Sequence, residues 1–388
     1  MSDVSVAGLD VSVFESVIAV GDTDARIALT RQLVALVADS STASIELKQV
    51  GPVLLRLASD NDKKVRRVLA EEFATSSRID AELAFSIVAD DDDIALPFLE
   101  STAALSAAQL AVIIRVGDEA RQTAIVGRRD VTSEVADHII GQSGITVCVA
   151  LLENPAIVLE DADFQILYKR FGNNAEVAER LMARPNIPAE IRITQARRTA
   201  ARMRQMMAEK GWVAANDAYE VCADAEDNAV MQVLVECDVA QRAKALAFMA
   251  GKKLLTPAFV VRCAALGQMT VVEAALAHIT GFTPQRTARQ MYDAHPASFK
   301  ALFRRSGLPL SCQGMLRAAC DVVIDTREEG LEISSSEFGA RVLEALMTRY
   351  EAMTPQERAK QIEYLGRFGE EKIRKVAKRL KADLVRAA

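Results

Sequence analysis

One motif, an apolar anchor followed by a capping residue and then helix formers, recurs along the first half of this chain. It constrains the fold more than any other feature. It reads Ile79-Asp80-Ala81-Glu82-Leu83, Leu105-Ser106-Ala107-Ala108, Val131-Thr132-Ser133-Glu134-Val135 and Ile187-Pro188-Ala189-Glu190-Ile191, with a weaker copy at Ile157-Val158-Leu159-Glu160. The anchors at 79, 105, 131, 157 and 187 are spaced 26, 26, 26 and 30 residues apart. Asp80, Ser106 and Thr132 stand where a side-chain oxygen accepts a hydrogen bond from a free first-turn N–H. A period of this length holds two helices of roughly ten residues and two turns. One such pair cannot bury its apolar face alone, so pairs must stack.

The second half varies the theme. Leu255-Thr256-Pro257, Phe282-Thr283-Pro284 and Leu310-Ser311 are spaced 27 and 28 apart, and Met353-Thr354-Pro355 follows after 43. Thr then Pro is an N-cap followed by the first helical position, where the missing N–H costs nothing. Gly251, Gly267, Gly281 and Gly307 fall where the preceding helices should stop. Leu29, Leu33, Leu36 and Val37 lie on one helical stripe, and alternating β-branched runs closed by Asn-Gly or Asp-Gly turns are absent. The expected fold is all-α: a HEAT-like helical-repeat solenoid, an α-α superhelix, in two lobes joined by a long basic helix. The expected divisions are residues 1–190 for the N-terminal repeats, 191–230 for the basic connecting helix and linker, 231–325 for a second repeat lobe, and 326–388 for a loop and C-terminal capping helices.

Composition narrows the function. The chain has 388 residues, 50% of them apolar, which excludes a disordered chain. No run approaches the roughly 20 apolar residues of a spanning helix, and residues 1–10 carry acids where a secretory leader needs a basic region. The six cysteines are scattered without a CxxC pair, as in a cytoplasmic protein with reduced thiols. Net charge is −6, unevenly spread: residues 1–100 sum to −9, whereas 191–210 and 355–388 each sum to +5.

Reactive chemistry finds little purchase. His138, His278 and His295 are far apart in sequence and lack zinc-ligand spacing to any Cys. Asp90-Asp91-Asp92-Asp93 lacks the alternating ligands, central Gly and distal Glu of a calcium loop, and reads as helix-capping acid. Gly251-Lys252-Lys253 fails as a phosphate loop, and Gly141-Gln142-Ser143-Gly144 falls one residue short of a nucleophile elbow. No catalytic, cofactor or metal residue is expected, and the chain reads as a non-enzyme.

Leu57-Ala58-Ser59-Asp60-Asn61-Asp62-Lys63-Lys64-Val65-Arg66-Arg67 resembles the HEAT-repeat signature, in which an inter-helix Asp precedes a Val-Arg pair. Together with Val116-Gly117-Asp118, Leu152-Glu153-Asn154-Pro155-Ala156 and Ser306-Gly307-Leu308-Pro309, the chain resembles the alphaproteobacterial HEAT-like repeat proteins of the domain-of-unknown-function 2336 family. The resemblance runs over about residues 50–323, departing at the N-terminal cap, at the basic helix from Ile191 and beyond Thr326. It implies a helical-repeat fold in a bacterial cytosol and brings no site residues.

The expected function is a protein–protein interaction scaffold or adaptor that binds a protein partner, acidic in character, on a curved helical-repeat surface. Arg66, Arg67 and Arg121 (with Asp118), and Arg192, Arg197, Arg198, Arg202 and Arg204 of the basic helix, are the expected contact positions. Met203, Met206 and Met207 accompany the basic helix, and Trp212 is expected to pack where it ends. Two alternatives stand beside this reading: a nucleic-acid-binding helical-repeat protein, which the acidic body disfavours, and a sensor of a small anionic ligand held by arginines. The basic amphipathic segment from Ile362 to Leu384 reads as a terminal cap. Oligomeric state is left open.

Overall fold

The structure, a computed structural model, describes residues 11–38, 44–76, 79–212, 214–293, 295–330, 332 and 334–350. The motif at 353–355 and the basic segment at 362–384 lie outside the described residues. Among those described, all regular structure is helical and no strand occurs. The chain divides into two compact units, residues 1–186 and 187–388.

The first unit contains α1 (Val11–Val20), α2 (Thr23–Ala38), α3 (Ser44–Ala58), α4 (Lys63–Phe73), α5 (Ala81–Val88), α6 (Asp92–Ser101), α7 (Ala107–Val116), α8 (Glu119–Val126), α9 (Ser133–Gln142), α10 (Ile145–Glu153), α11 (Asp161–Phe171) and α12 (Ala175–Ala183). Each even-numbered helix packs on the next even-numbered one from α2 to α12, and the odd-numbered helices pack in the same way from α1 to α5 and from α7 to α11. The anchors Leu105, Ile157 and Ile187 are buried, and Ile79 and Val131 half-buried. Ser106 caps α7 reciprocally with Gln109, and Thr132 caps α9 through the Val135 amide. Asp80 occupies the N-cap of α5 without a side-chain bond to it.

A second ladder runs through the inter-helix turns. Positions 102, 128, 154 and 184 each lie three residues before an anchor, and from 128 onward each is tied to the one before. The Arg128 guanidinium donates to the carbonyls of Leu99 (2.6 Å) and Thr102 (2.7 Å). The Asn154 amide donates to the carbonyls of Val126 (2.6 Å) and Arg128 (2.8 Å), and Arg184 donates to that of Asn154 (3.1 Å). The last carbonyls of any helix lack intrahelical partners. Here the following repeat supplies the donors, with cations placed at the negative helix ends. Arg170 serves α9 in this way through Ile140 and Ser143.

The second unit contains α13 (Ala189–Glu209), α14 (Ala215–Glu236), α15 (Val239–Gly251), α16 (Pro257–Ala265), α17 (Met269–Thr280), α18 (Pro284–Met291), α19 (Pro296–Ser306), a 3-10 turn at Leu310–Cys312, α20 (Gln313–Glu329) and α21 (Ser335–Tyr350). Thr256 and Thr283 cap α16 and α18 ahead of Pro257 and Pro284. Helix α17 packs against α14, α15, α16, α18 and α19, so the row-on-row order of the first unit gives way to helices gathered about α16 and α17. Every residue from Phe259 to Ala265 is buried, Arg262 included. The basic helix α13 lies within this second unit, packed on α14 and α15.

Gly281 and Gly307 end α17 and α19 in the left-handed conformation. Gly251, by contrast, is the last residue of α15, and Lys253 takes the positive φ (57°). Gly267, with φ +77°, has the Phe338 ring where a Cβ would stand, at 2.9 Å. Gly267→Ala is expected to lower stability by about 1–2 kcal/mol from the left-handed backbone alone, and more where Phe338 is pushed off α16. An unchanged thermal midpoint would contradict this close approach.

Candidate functional site

The arginines expected to meet a partner are held within the chain. Arg66 on α4 grips Asp90 through Nε (2.8 Å) and Nη2 (3.0 Å), and donates from Nη1 to the Asp60 carbonyl (2.8 Å). Arg67 meets Asp93, and Lys63 meets Asp91 (3.0 Å) and Asp93 (2.6 Å). Arg121 on α8 donates to the carbonyls of Val88 (2.8 Å) and Asp90 (2.7 Å), and also to Asp92 and Asp118. The run Asp90–Asp93 therefore ties α4 and α8 to the turn between α5 and α6. Asp91 sits at the N-cap of α6 without a side-chain cap bond. The Lys63 ammonium, then Arg67, hold the Asp93 carboxyl below the usual range, and Asp90 raises Arg66 in turn. The exposed pairs contribute little; Arg66 and Arg121, mostly covered, fix the stacking of neighbouring pairs.

The remaining expected positions lie on α13, which pairs antiparallel with α14. The sequence shapes the hairpin directly. Pro188 starts α13, Gly211 (φ +64°) ends it, and the Trp212 amide closes the turn on the Met207 carbonyl. Each helix is about 30 Å long at 1.5 Å per residue. Arg192 meets Glu236, Arg197 Nε meets Glu226 (2.7 Å), the Arg204 guanidinium lies over the Tyr219 ring (5.3 Å), and Cys222 Sγ approaches Met207 Sδ (3.9 Å). Arg198 and Arg202 are likewise engaged. Arg192 holds the Glu236 carboxyl below its usual value.

The two ends of this hairpin differ. Near its base, Ala189 and Ile193 join Val230, Val233, Leu234 and Cys237 in the core of the unit. Farther out no α13 side chain is fully buried, and among the described side chains of distal α14 only Ala218 and Cys222 are. The distal end therefore exposes Met203 (44%), Met206 (38%), Trp212 (64%), Tyr219 (59%) and Val221 (55%). Trp212, expected to pack, is open to solvent. The sequence marked the methionines; Tyr219 and Val221 escaped notice because nothing local shows which side chains of α14 its neighbours leave open.

Midway along α14, Arg262 of α16 is buried and donates from Nη1 to Asp224 (2.5 Å), with Asn228 Oδ1 at 3.4 Å from Nε and Asp227 at 4.0 Å. Burial pushes the Asp227 carboxyl up, against the pull of Arg262, and pushes the neighbouring Cys263 thiol up to about 12. All six cysteines are buried and unbridged. Among the described residues no group of three His, Cys, Asp or Glu side chains could hold a metal ion, and no helix is long and apolar enough to cross a membrane.

A family model described as "Uncharacterised protein conserved in bacteria (DUF2336)" matches residues 94–356. The match begins after the segment 57–67 that resembles a HEAT repeat. It runs through α13 and past Thr326, where the sequence resemblance was expected to break off. No curated protein and no solved structure matches the chain.

Proposed function

The chain belongs to this family of uncharacterised bacterial proteins, and we propose that it is a non-enzymatic scaffold or adaptor whose α13–α14 hairpin docks another protein. The observation that carries the reading is the distal hairpin, where Met203 and Met206, about one turn apart on α13, Trp212 at the turn, and Tyr219 and Val221 on α14 are all exposed. Clustered exposed apolar side chains mark interaction sites, and Trp, Tyr and Met are the residues that anchor them. The row-on-row packing of the first unit supports a HEAT-like solenoid that displays such a surface. On this reading the protein acts in the cytoplasm, and the arginines stiffen the hairpin while its apolar side chains meet the partner. The pairing of Arg192 and Arg197 with carboxylates also weakens the nucleic-acid alternative, since phosphate contacts need cations not already neutralised.

Affinity capture from the native bacterium with wild type beside Met206→Glu/Trp212→Glu tests the proposal. A specific protein should be recovered with wild type and fall by about 30-fold or more with the variant, the loss that follows from removing a hot spot of about 2 kcal/mol. The helical content should be unchanged. An identical set of captured proteins would refute the hairpin as the docking surface.

A further inference from the structure

Several basic residues of this molecule are matched by carboxylates, as Arg66, Arg128, Arg197 and Arg262 are, and others, such as Arg184 and Arg242, are spent on helix-end carbonyls. The α18–α19 pair is different. Residues 284–306 carry Arg286, Arg289, Lys300, Arg304 and Arg305 against a single acid, Asp293. All five cations are exposed, and among the described residues none makes a salt bridge. Asp293 is occupied by the Ser298 hydroxyl (2.6 Å) and the His295 amide (2.9 Å).

The two helices pack on each other, with α17 behind both. Arg286 and Arg289 lie about one turn apart on α18, as do Lys300 and Arg304 on α19. Phe282 gathers two of the cations: the Arg286 guanidinium stands 3.8 Å from its ring centroid and that of Arg305 4.6 Å, with Arg305 Nε also on the Thr280 carbonyl (3.0 Å). Like charges held this close repel unless an anion joins them. Just past α19, Leu310 projects with 78% of its surface exposed.

We propose that the α18–α19 face binds the phosphate groups of an anionic phospholipid surface, with Leu310 entering the headgroup boundary. Five cations outside any described salt bridge, with only Asp293 acting on Arg289 through space, are spread over two helices and suit an array of mobile headgroups, which needs no partner of matching shape. An exposed leucine five residues beyond Arg305 along the chain adds the apolar contact that peripheral binding uses. A nucleic-acid strand is less well served, because the guanidiniums cover Phe282 and deny it to a base. This inference does not depend on the hairpin reading, since it uses other residues.

The test is co-sedimentation of the full chain with vesicles of phosphatidylcholine and phosphatidylglycerol in a ratio of about 7:3, beside pure phosphatidylcholine, at low salt. Binding to the mixed vesicles alone is expected, fading by about 0.5 M salt as the charges are screened. Arg286→Glu/Arg304→Glu/Arg305→Glu should cut the bound fraction by about tenfold or more. The matching triple lysine variant should stay within about threefold of wild type, because a headgroup array reads charge rather than guanidinium shape, and Leu310→Glu should lose several-fold. Equal binding to pure phosphatidylcholine or absence of binding would overturn the proposal. So would undiminished binding of the glutamate variant, which would shift the activity to another basic segment such as 372–379. Loss in the lysine variant as deep as in the glutamate variant would also overturn it, pointing to a guanidinium-specific site for another anion.

Discussion

Arg128→Ala should destabilise the first unit by about 2–5 kcal/mol, the loss that follows when two buried carbonyls lose a charged donor. The side chain is 3% exposed and serves two carbonyls at the end of α6 as well as Asp130, which it bonds at 2.9 and 2.8 Å. Alanine would strand both carbonyls away from water. Most of the cost lies there, because Asp130 is itself open to solvent and its pair with Arg128 is screened. Arg128→Lys should recover only part of the loss, since one ammonium cannot span both carbonyls and the carboxylate. Asn154→Ala, which removes one amide from two carbonyls, should cost about 1–3 kcal/mol. Hydrogen exchange of the α6 and α8 amides reads this locally, without treating the two units as a single transition. A change below about 1 kcal/mol for Arg128→Ala would refute the ladder as a determinant of stacking.

The second large effect is expected at Arg262. Arg262→Met keeps the bulk of the side chain but leaves Asp224 and Asp227 beside α16 without their cation, at a cost of about 3–5 kcal/mol. Burial already raises the Asp227 carboxyl above its usual value, and Arg262 is the group opposing that shift. The sign follows from linkage. A carboxyl whose folded value lies above its unfolded one binds its proton more tightly when folded, so stability falls as pH rises between the two values. Removing the cation widens that interval, so the deficit of Arg262→Met should shrink as pH is lowered from 7 toward 5. Arg262→Met/Asp224→Leu should recover more than half of the loss, as replacing a whole buried pair does elsewhere. Denaturant midpoints at both pH values would check this; a pH-independent deficit with no recovery in the double variant would show that the cluster acts through packing alone.

Much of the architecture could be read directly. Leu105, Ile157 and Ile187 are buried where the 26- and 30-residue spacing predicts, and Ser106, Thr132, Thr256 and Thr283 cap the helices they precede. Local failures have local causes. Gly251 does not end α15 in a left-handed turn because the chain runs two residues further and places Lys253 there. The candidate site was less legible. The pairing of Arg66 with Asp90 and of Arg121 with the Val88 carbonyl spans 24 and 33 residues, and a backbone carbonyl leaves no trace in residue identity. The ladder through the turns was hidden as well, since its positions 102, 128, 154 and 184 carry Thr, Arg, Asn and Arg and share no single residue type.

Residue order is enough to specify the helices, their caps and the period at which pairs repeat, because a helix closes through bonds four residues apart and buries side chains at a fixed angular interval. Tertiary structure alone decided which charges are spent inside the chain and which face outward. Arg197 and Arg305 look alike in the sequence, yet one is matched by Glu226 and the other stands over Phe282 among further cations. Neutralisation depends on distance through space, and that distance exists only once the helices have packed.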